Sequence, residues 1–133
     1  MKSVFLDSVG VIALWNERDQ WHDAATHAFA ALEIERAPLV STSYVIAECA
    51  NALSRLPSRT NLARLVHGLR KTGALIFPTA AEWQVAWNEY VQGHSGSPGL
   101  VDHLSFAVMR RLGVTRVFTH DEHFSTAGFK PLF

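Results

Sequence analysis

Four carboxylates stand where solubility alone does not put them. Asp7 interrupts an apolar stretch, between "SVFL" at residues 3–6 and "VIALW" at residues 11–15. Asp121 follows "RVFT" (residues 116–119) within two positions. Glu48 lies three residues after Val45 and four before Ala52, so on a helix it borders the apolar stripe. Asp102 comes just after the loop "SPG", in the first turn of the next helical pattern. An isolated buried carboxylate is costly, and such groups are normally paired or bound to a cation. Each acid also has an ordinary reading. Asp102 can favour a helix N-terminus through the dipole, and Asp121 can cap the short helix "EHFSTA". Asp7 can form a turn, and Glu48 can pair with an arginine. Those readings require four separate accidents, whereas one shared acidic site accounts for all four residues.

The elements around these acids alternate. Strands are expected at residues 3–6, 38–42, 74–77 ("ALIF") and 116–119, with a short edge strand in "GFKPLF", where Pro131 cannot donate to a ladder. A helical region follows the first strand and runs through "HDAATHAFAALEIER". "SYVIAECANALSRL" places Val45, Cys49, Ala52, Leu53 and Leu56 on one helix face. "RTNLARLVHGLRKTG" reads as a helix stopped by Gly73, and "LVDHLSFAVMRRLG" as one stopped by Gly113. In "AAEWQVAWNEYVQG" the apolar side is Trp83, Ala86, Trp87 and Tyr90, most simply core or a dimer contact, with a base-stacking platform as the alternative. Strands alternating with helices imply a parallel sheet covered on both faces. Ligands of such sheets sit beyond the carboxyl ends of the strands, the edge to which Asp7 and Asp121 both belong.

Composition sets the class. A chain of 133 residues fits one domain, taken here as residues 1–133, and is long enough to bury a core. Hydrophobic residues at 48% and charged residues at 18% make it globular rather than disordered. No apolar run is long enough to span a bilayer, and the opening residues lack a signal-peptide pattern. Cys49 is the only cysteine, which suits a cytoplasmic protein. Twelve basic and twelve acidic residues cancel, but they are segregated. Arg55, Arg59, Arg64, Arg70 and Lys71 lie in a segment with no carboxylate, and so do Arg110, Arg111 and Arg116.

"FLDSVGVIAL", "STSYVIAECANAL", "LVDHLSFAVMRRLGV" and "VFTHDEHFSTAGF" together resemble the four acidic motifs of PIN domains, in order and across the whole chain. Within that family the sequence is most similar to VapC-type toxins of bacterial toxin–antitoxin pairs. The resemblance implies a three-layer α/β/α sandwich around a mostly parallel sheet, a divalent metal, and ribonuclease activity. It makes Asp7, Glu48, Asp102 and Asp121 the catalytic and metal-binding acids. Ser8 and Thr119 resemble the hydroxyl residues beside the first and last acids, and Asn51 the polar residue one turn after the second. These three, with Arg55 and Arg59, are the expected substrate contacts. His103 occupies a position that is small in many PIN domains. The implied partners are RNA, a small VapB-type antitoxin and a second copy of the chain, with no membrane. Hard oxygen donors favour Mg²⁺ or Mn²⁺, and Asp7 and Asp102 are the expected principal ligands.

Other chemistries fit less well. "VFLDSVGVI" is also similar to the start of haloacid-dehalogenase-like phosphatases, but these carry a second aspartate where Val9 stands. The pair His120 and His123 suggests zinc only weakly, with no cysteine pair beside it. A non-catalytic RNA-binding module on the same fold would be favoured by a missing acid, and none is missing. A nuclease acting in RNA processing rather than as a toxin is the remaining alternative. The leucine-rich face of residues 53–69 is long for a two-helix hairpin, and part of it is expected to meet a partner.

Overall fold

The fold was obtained as a computed structural model that describes residues 2–133. Five strands form one sheet: β1 (Val4–Leu6), β2 (Leu39–Thr42), β3 (Leu75–Ile76), β4 (Arg116–Phe118) and β5 (Lys130–Pro131). Their order is β3-β2-β1-β4-β5, and every pairing is parallel. The helices are α1 (Ser8–Trp15), α2 (His22–Glu35), α3 (Ser43–Ala52), α4 (Arg59–Lys71), α5 (Ala80–Gln92), α6 (Leu100–Leu112) and α7 (Glu122–Thr126). This is the expected α/β/α sandwich, with β5 at an edge as Pro131 requires.

The strand order fixes where a site can form. The chain winds outward from β1 to β2 and β3, then crosses back to lay β4 on the other side of β1. The order therefore reverses between β1 and β4, and a crevice opens beyond their carboxyl ends. In register, Leu6 sits opposite Phe118, so Asp7 and Thr119 leave the sheet side by side.

Burial follows from that central position. Val4, Phe5 and Leu6 of β1 and Val117 and Phe118 of β4 are essentially inaccessible, as are Leu104, Val108 and Met109 of α6. Fully burying each such side chain stabilises the fold by roughly 1.5–3 kcal/mol. Helix ends are fixed locally. Thr42 accepts the Val45 N–H (3.2 Å) at the start of α3, and Thr79 and Glu82 form a reciprocal cap on α5. Glu82 also takes two hydrogen bonds from Arg111, at 2.9 and 3.0 Å, which ties α5 to α6. Helix α3 stops at Ala52 rather than running to Leu56. Pro57 disfavours helical geometry in the residue before it, and Leu53 turns into the core.

Gly10 sets the distance between α1 and β4. A Cβ there would run into the Phe118 carbonyl oxygen, which is backbone and cannot step aside. Gly10→Ala is therefore expected to lower stability by about 3 kcal/mol despite the better helix propensity of alanine. A urea titration reads this directly, and an unchanged midpoint would show that α1 can lift off β4 without cost.

Candidate active site

Asp7 immediately precedes α1 in extended conformation, yet its side chain makes no capping hydrogen bond there. It turns toward β4, where Thr119 Oγ1 donates to Asp7 Oδ2 at 2.8 Å. The same hydroxyl accepts the Asp121 N–H at 3.1 Å. One buried threonine thus holds two of the four acids. Thr119 is fully buried, and both of its hydrogen bonds are spent on the two acids. Ser8, also buried, is likewise committed inward: its Oγ donates to Glu48 Oε1 at 2.7 Å.

Glu48 departs from its expected burial. The buried stripe of α3 is Val45 and Cys49, and Glu48 is exposed on the crevice rim, restrained by Ser8. Asp102 and Asp121 combine their ordinary roles with a place in the site. Asp102 Oδ2 accepts the Gly99 N–H at 3.2 Å, and Asp121 Oδ1 accepts the His123 N–H at 2.9 Å at the start of α7. A cap and a site ligand are not exclusive, because each carboxylate has further lone pairs free.

The four acids are near enough for their charges to act on one another. Burial pushes the Asp7 carboxyl up to about 7; the Thr119 hydrogen bond opposes this, and the charges of Asp102, Asp121 and Glu48 add to it. Asp102 is pushed up to about 6 by burial and by Asp121, with the Gly99 N–H and His123 pulling the other way and Glu48 adding to the rise. Beneath them the buried Cys49 thiol is raised to about 12 by burial and by the charges of Asp7 and Glu48, so it is not a nucleophile. No lysine or arginine forms an ion pair with any of the four acids among the described residues.

His123 joins this group. Its Nδ1 lies 3.2 Å from Asp121 Oδ1 and 3.8 Å from Asp102 Oδ2, while Nε2 is 2.9 Å from the Gly96 carbonyl oxygen. The hydrogen bond to Gly96 raises its pKa, with Asp121 and Asp102 adding to the rise against the effect of burial. Asp102, Asp121 and His123 each offer one ligand atom, and these atoms lie within 4.8 Å of one another. Sequence spacing pairs His123 with His120; the fold pairs it with Asp121 and with Asp102, which is distant in sequence. His120, its partner in the weak zinc signal, instead stacks on Trp21 at 4.3 Å. His103 turns away toward Glu89 (3.8 Å) and Phe106.

The remaining expected contacts lie outside this cluster. Asn51, Arg55 and Arg59 are exposed and make no hydrogen bond or ion pair with the acids. Arg59 lines an apolar groove of about 470 Å³ between α3 and α4, with Ile46, Leu53, Leu62, Val66 and Arg70 among its walls. The second acid-free stretch is used internally. Arg110 lies over Phe106 and Phe129, Arg111 pairs with Glu82, and Arg116 pairs with Glu35 at 3.0 Å. The basic residues of 55–71 have no carboxylate partner among the described residues.

The PIN-domain family model matches residues 4–130 of the chain. The chain belongs to the PIN-domain family. At whole length it is 31% identical over 128 residues, 95% of both chains, to the 23S rRNA-specific endonuclease VapC20 of Mycobacterium tuberculosis. The crystal structure of VapC20, described as a sarcin-ricin loop cleaving toxin, superposes with a TM-score of 0.74 at 28% identity over 95% of each chain. FitAcB from Neisseria gonorrhoeae shares the fold, with a TM-score of 0.61 at 16% identity over 98% of this chain and 96% of that one.

Proposed function

We propose that this protein is a metal-dependent endoribonuclease, the toxin of a toxin–antitoxin pair, acting as a single domain on structured RNA. The observation that carries the reading is the convergence of Asp7, Glu48, Asp102 and Asp121 with no lysine or arginine paired to them among the described residues. Like charges held together, two of them with raised pKa values, fit a divalent cation. The donor set of carboxylate oxygens and one imidazole suits Mg²⁺ or Mn²⁺. Asp102, Asp121 and His123 would hold the ion, with Asp7 and Glu48 completing its surroundings. Bound there, such an ion supplies an activated water and stabilises charge on the phosphoryl oxygens during in-line displacement. The protein's own contribution is orientation. Thr119 fixes Asp7, Ser8 fixes Glu48, and the α7 start fixes Asp121.

The likeness to a 23S rRNA-specific endonuclease supports structured RNA as the substrate class. The exposed, unpaired Arg55 and the nearby Asn51 and Arg59 are the candidate phosphate contacts. The α3/α4 groove, apolar at its base and rimmed by Arg59 and Arg70, suits an acidic amphipathic segment of a small antitoxin. Exposed Phe77 and Tyr44 offer apolar surface to a second copy. None of the described helices is long and apolar enough to cross a membrane, and a cytoplasmic location goes with the RNA-cleaving reading.

The reading is tested by stripping the protein with EDTA and supplying a structured ribosomal RNA fragment. The stripped protein is expected to leave the fragment intact, and Mg²⁺ or Mn²⁺ to restore cutting. Cleavage that persists in EDTA would refute the metal-dependent mechanism.

A further inference from the structure

The aromatic stripe of α5 is only partly core. Only Ala86 of that stripe is fully buried, while Trp87 and Tyr90 are 39% and 45% exposed. They are nevertheless ordered into a ladder. The Trp83 and Trp87 rings stack at 5.5 Å with 7° between planes, and Tyr90 continues the run 5.7 Å from Trp87. The stripe thus accounts for little of the core.

The ladder ends beside the acids. Trp87 and Tyr90 form one side of a hollow of about 460 Å³, whose other walls include Glu48 and Asp102, with Gly99 and Val101 between. One cavity therefore joins a carboxylate rim to exposed aromatic rings. A protein segment seated there would cover two carboxylates and leave them without water. A nucleotide suits both halves, because its phosphate would reach the acidic centre through a bound divalent cation and its base presents a π face to the rings. Proteins that recognise RNA by sequence commonly splay single-stranded bases onto aromatic side chains.

We propose that Trp87 and Tyr90 form a stacking site for one unpaired base of the RNA, next to the phosphate held at the acidic cluster. This inference rests on the nuclease reading above and adds a specificity element to it. The site selects for an unstacked nucleotide beside the cut, and so for loops over continuous duplex.

The test uses the full chain with Mn²⁺ and a hairpin RNA that wild type cuts, together with hairpins carrying one abasic position at each loop nucleotide. Trp87→Ala and Tyr90→Ala are expected to raise KM about 10-fold with kcat largely kept, and Tyr90→Phe to behave as wild type. One abasic position should raise KM for wild type by a similar factor and add little in Tyr90→Ala, because both changes remove the same contact. Light scattering should show the same oligomeric state for every variant. Unchanged KM in both alanine variants overturns the inference while leaving the nuclease reading intact. So does a loss that is additive with every abasic position, or one that tracks a change in oligomeric state, which makes the ladder a surface between copies. If wild type cuts no RNA with either metal, the nuclease reading fails and takes the stacking site with it.

Discussion

Asp7→Asn is expected to reduce metal-dependent RNA cleavage by about 10³-fold or more while the circular dichroism spectrum stays unchanged, since losing a single preorganised electrostatic group already costs on the order of 10²–10³. The local geometry makes this a clean substitution. An asparagine at this position can present its amide oxygen to Thr119 Oγ1 and keep the buried hydrogen bond, so shape and burial are preserved while charge is lost. Asp102→Asn is expected to act similarly, because its position in the crevice rather than its acceptance of the Gly99 N–H is what the reaction uses. Full activity in either variant, measured with the EDTA control beside it, would remove that acid from the mechanism.

The metal-free protein should lose stability as pH rises. The Asp7 carboxyl titrates at about 7 when folded against 3.8 for the ordinary group, so the folded state binds the proton more tightly than the unfolded one. Stability is then fully present below the unfolded value and falls as pH climbs through the folded value. The shift corresponds to on the order of 4 kcal/mol between about pH 4 and about pH 8, with 1.36 kcal/mol per pH unit. Asp102, raised to about 6, acts in the same direction. In EDTA, thermal melts of wild type should therefore fall across this range, and Asp7→Asn should flatten the profile and melt higher at the alkaline end. Asp102→Asn should do so to a smaller degree, and Asp102→Ala separates that gain from the loss of the Gly99 contact. Mg²⁺ should restore wild type by mass action and do much less for the variants. A wild-type profile that rises with pH would show that the acids are not held against one another.

The order of strands and helices was legible because their patterns differ in period, and the carboxyl-edge rule then placed Asp7 and Asp121 together. Helix α1 was harder to delimit. Its residues are apolar nearly all round, so no polar face marks where it begins or ends. The α5 stripe shows the reverse problem. Helical spacing says that Trp83, Trp87 and Tyr90 share a side, but which side meets the core depends on α6, and the small Ala86 occupies that contact. Glu48 was singled out for a burial it does not have. The crevice that admits solvent to it is a property of the sheet, not of α3. The His123–Asp102 approach and the hydrogen bonds of Ser8 and Thr119 required coordinates, because each joins residues distant in sequence.

The hydrogen bond between Thr119 and Asp7 spans 112 positions of the chain. Asp7 is made well before the strand that gives it a hydroxyl partner and a second acid. Domains form in the order in which the ribosome delivers their parts, and here the earliest acid must wait for the latest. A nascent chain stalled anywhere before β4 carries Asp7, Glu48 and even Asp102 without an assembled crevice. On the nuclease reading, a chain at that stage has no assembled site with which to cut RNA. The fold becomes dangerous only once its last motif has emerged.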